Sequence, residues 1–180
     1  MSSVVISGDT SGAITLAAPA VSGTNTATLP AATGTVMVSG NMPAFSAYSD
    51  ATTQTFTVGT YTKVLFQVKE FDTNNNFASS LFTPTVGGYY QVSSSILFPA
   101  ATPTVAFVAI YKNGSDFKEG CRIYFPSGSG GPCVSALIYL NGSTDYVEIY
   151  GLQSSSTSQA LAGGNNQFLN YFQASLVRAA

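Results

Sequence analysis

V-A-F-V-A-I-Y, residues 105–111, is the stretch on which the fold turns. It is a short apolar run rich in Val, Ile and aromatics, which suits a strand better than a helix. At a period of two, Val105, Phe107, Ala109 and Tyr111 share one face, and Ala106, Val108 and Ile110 share the other. A strand with one face in water places polar residues there. This one asks for cover on both sides, which predicts a second sheet over one face and a neighbouring subunit over the other. Residues 135–140 and 146–150, and the pair Tyr171-Phe172, repeat the hint.

Outward from this run, further stretches rich in Val, Ile, Phe and Tyr occupy 63–71, 89–98, 120–125, 134–140, 146–152 and 168–177, with a shorter one at 44–49. Gly, Asn, Ser or Pro separates them, and no long stretch holds a 3.6-residue apolar period. The fold class is therefore all-β. Asn113-Gly114 and Asn141-Gly142 stand between strand-like runs, where a tight hairpin turn needs residues tolerant of positive φ. Both also match the N-x-S/T glycosylation sequence, but the turn reading explains them better.

Composition narrows the function. Charged residues make up only 8% of the 180 residues and hydrophobic ones 45%, so the excess apolar surface points to a subunit interface. No apolar run approaches the roughly 18 residues of a membrane span. The start M-S-S-V-V lacks the basic and apolar regions of a secretion signal. Lys63, Lys69, Lys112, Lys118, Arg122 and Arg178 are scattered and form no stripe for phosphates, which argues against nucleic acid. Cys121 and Cys133 flank a Gly/Ser/Pro loop. A bridge closing it would contribute about 3 kcal/mol, but without a secretion signal two reduced thiols are the better expectation.

The chain changes character near Gly40. Residues 1–40 are neutral and rich in small side chains, whereas 41–180 hold the aromatic strands. The expected organisation is an N-terminal extended β stalk or attachment module, 1–40, and a head, 41–180.

Several runs in the head carry a resemblance. P-A-F-S-A-Y-S, K-V-L-F-Q-V-K-E-F-D, F-T-P-T-V-G-G-Y-Y-Q-V at 82–92 and the strand ending in Asn113-Gly114 resemble the head domain of complement subcomponent q. A-L-I-Y-L-N-G-S-T-D-Y-V-E-I-Y-G-L-Q and F-L-N-Y-F-Q-A-S-L-V-R extend the match in order and spacing, over about residues 43–178. That family shares the trimeric two-sheet antiparallel jelly roll of the tumour-necrosis-factor cytokines. The resemblance therefore implies a jelly-roll head and a homotrimer. Unlike the animal proteins, this chain has no collagen stalk with Gly at every third position. Its own stalk, G-A-I-T-L, A-P-A, G-T-N-T-A-T-L-P-A and T-G-T-V within residues 8–38, is similar to a segment of bacteriophage tail-fibre and related virion proteins. That similarity implies a virion protein on the surface of tail or capsid.

Strand parity in such a head gathers residues 49–62, 99–104, 126–132 and 153–167 at the end far from the stalk, with the two Asn-Gly turns and 72–78 opposite. Loops on a rigid scaffold are where binding specificity resides. Tyr124, Phe125, Tyr150, Ser155, Asn165 and Asn166 are the candidate receptor-binding residues: hydroxyls, amides and aromatic faces that suit a host surface glycan. A host surface protein is the alternative receptor.

Catalysis is not expected. The chain has no His, which removes Ser-His-Asp and Cys-His arrangements, and no cofactor is expected. Glu70 and Asp72 lie two apart at a strand end and read as a solvated pair. Asp72, Asn74 and Asn76 open like a calcium loop, but Phe77 stands where that loop needs Gly and Thr83 where it needs Glu, so no metal site is assigned. The sequence thus predicts a trimeric bacteriophage attachment protein, joined to other virion proteins through its N-terminal module. The alternative is a structural decoration protein of the particle without a receptor role.

Overall fold

The computed structural model describes residues 3–21, 23–28, 31, 33–34, 36–50, 54–99, 104–161 and 168–180. The chain divides into two compact units, Met1–Gly34 and Thr35–Ala180.

In the first unit, β1 (Ser3–Ser7) and β2 (Ala13–Ala17) form an antiparallel hairpin with Val4 opposite Leu16, Val5 opposite Thr15 and Ile6 opposite Ile14. Gly8 N–H donates to the Gly12 carbonyl at 2.9 Å, and Gly12 takes φ +79°, a conformation glycine adopts without steric cost. The expected extended stalk is, over residues 3–17, a chain folded back on itself.

The head begins with β3 (Ala44–Tyr48), β4 (Thr55–Phe56), β5 (Thr62–Lys63), β6 (Val68–Asp72), β7 (Phe77–Ala78) and β8 (Leu81–Phe82). It continues with β9 (Gly88–Ser95), β10 (Thr104–Lys112), β11 (Ser115–Glu119), β12 (Ile123–Phe125) and β13 (Cys133–Leu140), and ends with β14 (Val147–Gln153), β15 (Gln159–Ala160) and β16 (Tyr171–Ala179). Among the described residues, two main antiparallel sheets form. One has the order β13-β9-β16-β3-β6. The other runs β11-β10-β14-β8-β7, with β12 also on β10 and β5 also on β14; β4 and β15 pair apart. Phe45 of the first sheet locks the two together. Its ring lies 4.6 Å from both Phe77 and Phe82 of the second sheet, stacked, and 4.8 Å edge-on from Phe172. Such pairs add about 0.5–1.5 kcal/mol each beyond their buried area.

Three departures from the predicted strands have local causes. Residues 63–71 are not one strand, because they cross between sheets. Val64 N–H bonds the Ile149 carbonyl in the second sheet, whereas Val68 pairs with Tyr48 in the first. Val64 and Phe66 turn into the core on the way. The run at 120–125 is shortened as well: β11 ends before it at Glu119, and only β12, Ile123–Phe125, is strand. At Gly120 a Cβ would stand 2.1 Å from the Cys133 carbonyl oxygen, so glycine is required where the segment crosses β13. Asn113-Gly114 does make the β10–β11 turn, with φ +54° and +77°. Asn141-Gly142 makes no hairpin, because β13 and β14 belong to different sheets. The Asn141 side-chain oxygen instead accepts the N–H groups of Ser143, Thr144 and Asp145 at 2.9–3.0 Å.

Candidate functional site

Register defines the two ends of the head. Ser95 pairs with both Cys133 and Tyr171, and Tyr171 with Tyr48, which sets one end of the first sheet. Gly88, opposite Leu140 and Ala179, marks the other. Residues 96–99, 126–132 and 154–161 lie beyond the Ser95 end of the strands, and both Asn-Gly turns lie at the Gly88 end. These segments share one end of the head, as strand parity groups them.

Main-chain bonds and two amide side chains knit the rim at the Ser95 end. Asn170 accepts Ser49 N–H through its carbonyl at 3.0 Å and Leu97 N–H through Oδ1 at 2.7 Å. Phe98 and Gly130 exchange two backbone bonds, at 2.9 and 3.0 Å. Gln153 is fully buried. Its Nε2 donates to the Phe56 carbonyl at 3.0 Å and the Thr157 carbonyl at 3.3 Å. Its Oε1 accepts the N–H of Ser155 at 2.7 Å and its hydroxyl at 2.6 Å.

The structure separates the six candidate residues. Ser155 is buried, its one hydroxyl proton shared between Gln153 Oε1 and the Thr157 carbonyl, so it shapes the rim from inside. Phe125 is buried as well: a Cβ on Gly130 would fall 2.1 Å from its ring. Asn165 and Asn166 lie outside the described residues. Tyr124, opposite Val105, is 63% exposed. Tyr150, opposite Ala109, shares its sheet face four residues farther along β10.

That outward face of the β10 sheet is an aromatic patch. Tyr111 and Tyr150 stack with centroids 3.9 Å apart, and Tyr61 lies 5.5 Å from Phe107 and 5.9 Å from Tyr111. The Arg122 guanidinium sits 4.5 Å above the Phe107 ring. Tyr61 donates to Glu119 at 3.0 Å, and Arg122 donates to Glu119 at 2.6 and 3.2 Å. Burial, then the bonded Glu119 carboxylate, pushes the Tyr61 hydroxyl up to about 12. The Arg122 hydrogen bonds hold Glu119 below the usual carboxylate range. Lys63 and Glu148 pair at 2.8 Å beside Tyr150.

This patch corrects the reading of residues 105–111. The second face of β10 is covered by the chain itself: Phe107 is only 7% exposed, under Tyr61 and Arg122. The open apolar surface lies on the first sheet instead. On its outward face Leu137 is 55% and Tyr139 45% exposed, with Tyr89 opposite Tyr139 and Val177 on β16 also open. Toward the Ser95 end the same face turns polar: Gln91 bonds Ser135 at 2.8 Å and Gln173 bonds Ser93 at 3.1 Å. Residues 135–140 carried a legible signal for this face, a strand alternating its buried Ile138 and Leu140 with exposed Leu137 and Tyr139.

The remaining chemical candidates have structural duties. Glu70 accepts the Ser46 hydroxyl at 2.6 Å. Asp72 accepts the N–H groups of Asn76 and Phe77 at 2.9 and 3.0 Å and pairs with Lys69 at 3.4 Å, so it caps the turn before β7. Among the described residues no three His, Cys, Asp or Glu side chains cluster as a metal site. Cys121 and Cys133 are unbridged, with sulfurs 3.7 Å apart, and both are exposed.

No protein-family profile and no curated protein matches the chain. Solved structures do. The globular domain of zebrafish complement 1qA protein matches with a TM-score of 0.55 at 19% identity, over 77% of this chain and 98% of that one. Murine APRIL at pH 5.0 gives 0.56 at 12% identity, over 76% and 99%. Eiger TNF from S. frugiperda gives 0.53 at 9% identity, over 78% and 95%. The head has the jelly-roll fold shared by complement q and the tumour-necrosis-factor cytokines.

Proposed function

We propose that the protein is a trimeric attachment protein of a bacteriophage particle. Its N-terminal module joins other virion proteins on tail or capsid, and its head binds a host surface glycan or protein through the far-end rim. The observation that carries the trimer is the uncovered apolar face of the first sheet, at Leu137, Tyr139, Tyr89 and Val177. Contiguous apolar surface of this kind marks an interface, and domains of this fold are typically homotrimeric binding modules. The similarity of residues 8–38 to tail-fibre segments supports the particle. At the rim Tyr124 is the exposed aromatic, and Tyr150 lies on the same face farther down the sheet, half-covered. Three such rims on one particle-borne knob bind by avidity, each further contact being favoured by effective concentration.

Light scattering of the full chain after size exclusion, followed by binding of fluorescent protein to a panel of bacterial strains, tests this. A mass of three times 18.6 kDa with saturable binding to some strains is the expected result. A single-chain mass overturns the trimer. The burial of Ser155 and Phe125 favours a second reading, the structural decoration protein, since it leaves fewer rim side chains for a ligand. A trimer that binds none of the strains but does bind phage particles lacking it would establish that reading.

A further inference from the structure

Two thiols meet where the margins of the two sheets meet. Gly120 N–H donates to the Val108 carbonyl on β10 at 2.8 Å, which holds the next residue, Cys121, beside the second sheet. Cys133 opens β13 of the first sheet, opposite Ser95. Cys121 N–H donates to the Cys133 carbonyl at 3.1 Å, and Cys133 N–H donates to Cys121 Sγ at 3.4 Å. Glycine at 120 is what lets the two chains come this close. The sulfurs are 3.7 Å apart, and both residues are open to reagents in water. A disulfide measures about 2.05 Å, so bonding asks the sulfurs to approach by roughly 1.7 Å while the main chains keep their contact. The strap between them, residues 121–133, carries β12 with exposed Tyr124, and Gly130 with its two bonds to Phe98.

We propose that Cys121 and Cys133 are a redox modification site: a small-molecule disulfide such as oxidised glutathione converts them to an intramolecular bridge, which joins the two sheets and closes the strap at its base. The site does not depend on the trimer or on a host receptor. The bond of Cys133 to Cys121 pushes the Cys133 thiol up, so Cys133 keeps its proton through the first step and Cys121 attacks. The Cys121 thiolate bonds one sulfur of oxidised glutathione and expels the other as a thiolate. Cys133 then releases its proton to water, attacks Cys121 Sγ and expels the second glutathione thiolate. One disulfide is broken and one is made. Two electrons pass from the protein to glutathione, and the two expelled thiolates take up the two protons that the cysteines lost. Where glutathione is kept reduced, the same exchange runs backward and the thiols persist. A strap closed at its base has fewer open states, so oxidation holds Tyr124 in place.

The full chain, reduced, desalted and exposed to oxidised glutathione in the absence of oxygen, tests this. The expected product is a single chain that has lost both thiols and holds no glutathione, by intact mass and by maleimide labelling in denaturant. Cys121→Ser and Cys133→Ser should each keep one glutathione on the remaining sulfur. If the unsubstituted chain keeps glutathione as well, or keeps both thiols, or if chains join on a non-reducing gel, the intramolecular bridge is overturned. Chymotrypsin reads the strap. Cutting after Tyr124 should be at least about tenfold slower in the oxidised chain, and dithiothreitol should restore it. Equal rates before and after bridging would overturn the claim that oxidation holds the strap.

Discussion

The outward faces of the two sheets began with similar material and met different fates. On the β10 sheet, Phe107 is roofed by Tyr61 and by Arg122, which Glu119 holds, and Tyr61 also meets Tyr111, which stacks on Tyr150. On the β9 sheet, Tyr89, Leu137, Tyr139 and Val177 have no such roof. The roofed face is the more aromatic, yet it makes no case for a second subunit. An interface is therefore diagnosed by what the chain leaves uncovered, not by how apolar a strand is. Tyr61 is decisive here: it lies just before β5, far in sequence from the ring it covers, and only the packed structure brings them together.

The comparison can be broken or sharpened by substitution. The largest effect belongs to Phe107→Ala on the roofed face. Losing a buried ring there should cost about 3–5 kcal/mol of folding stability, read by chemical denaturation; a loss below about 1 kcal/mol would mean that the roof does not seal. Leu137→Asp on the open face should do the opposite, leaving the far-UV circular dichroism spectrum intact while weakening self-association at least about 100-fold, or about 2.7 kcal/mol. Sedimentation at several concentrations measures it, and an unchanged mass at all of them would remove the open face from the interface.

The alkaline limb of stability is the third comparison. Tyr61 and Tyr90 are pushed from 10.0 up to about 12 in the folded chain, both first by burial. The folded state keeps these protons where the unfolded chain has lost them. Their contribution is complete below pH 10 and is lost as pH rises toward about 12. Tyr61→Phe should flatten that decline, and thermal midpoints from pH 9 to 11 would show it; an unaltered slope would put Tyr61 outside the roof. The smallest effect is expected at Gln173→Ala on the open face. Its bond to Ser93 is exposed, so monomer stability should change by less than about 0.5 kcal/mol. A larger loss in urea titration would show that the polar half of the face holds its own strands in place.

The strands themselves were legible, because β-branched and aromatic runs bounded by Gly, Asn and Pro leave little alternative. Their sheet membership was legible only in part. Asn113-Gly114 and Asn141-Gly142 are the same dipeptide between two apolar runs, and one joins neighbours while the other joins sheets. The difference lies in Asn141's side chain gathering three N–H groups, which the sequence does not display. Residues 63–71 likewise looked continuous because a strand that changes sheet remains apolar throughout. In the rim, Tyr124 kept the exposure its position suggested. Ser155 did not, since a serine in a Gly/Ser-rich loop gives no sign that a buried glutamine will claim it. Gln153 itself was missed: a polar residue ending a strand looks like the start of solvent.

That glutamine has a consequence for how the rim can change over time. It grips Phe56 and Thr157 by their carbonyls and Ser155 partly by its N–H, groups that nearly every amino acid carries. The path of the loop is thus written into one side chain and a few main-chain atoms. Substitution at Thr157 leaves that carbonyl in place, whereas substitution at Gln153 removes the post to which the loop is tied. Surface variation and fold integrity are placed on different residues, so the outward chemistry of the loop can drift without the scaffold being renegotiated.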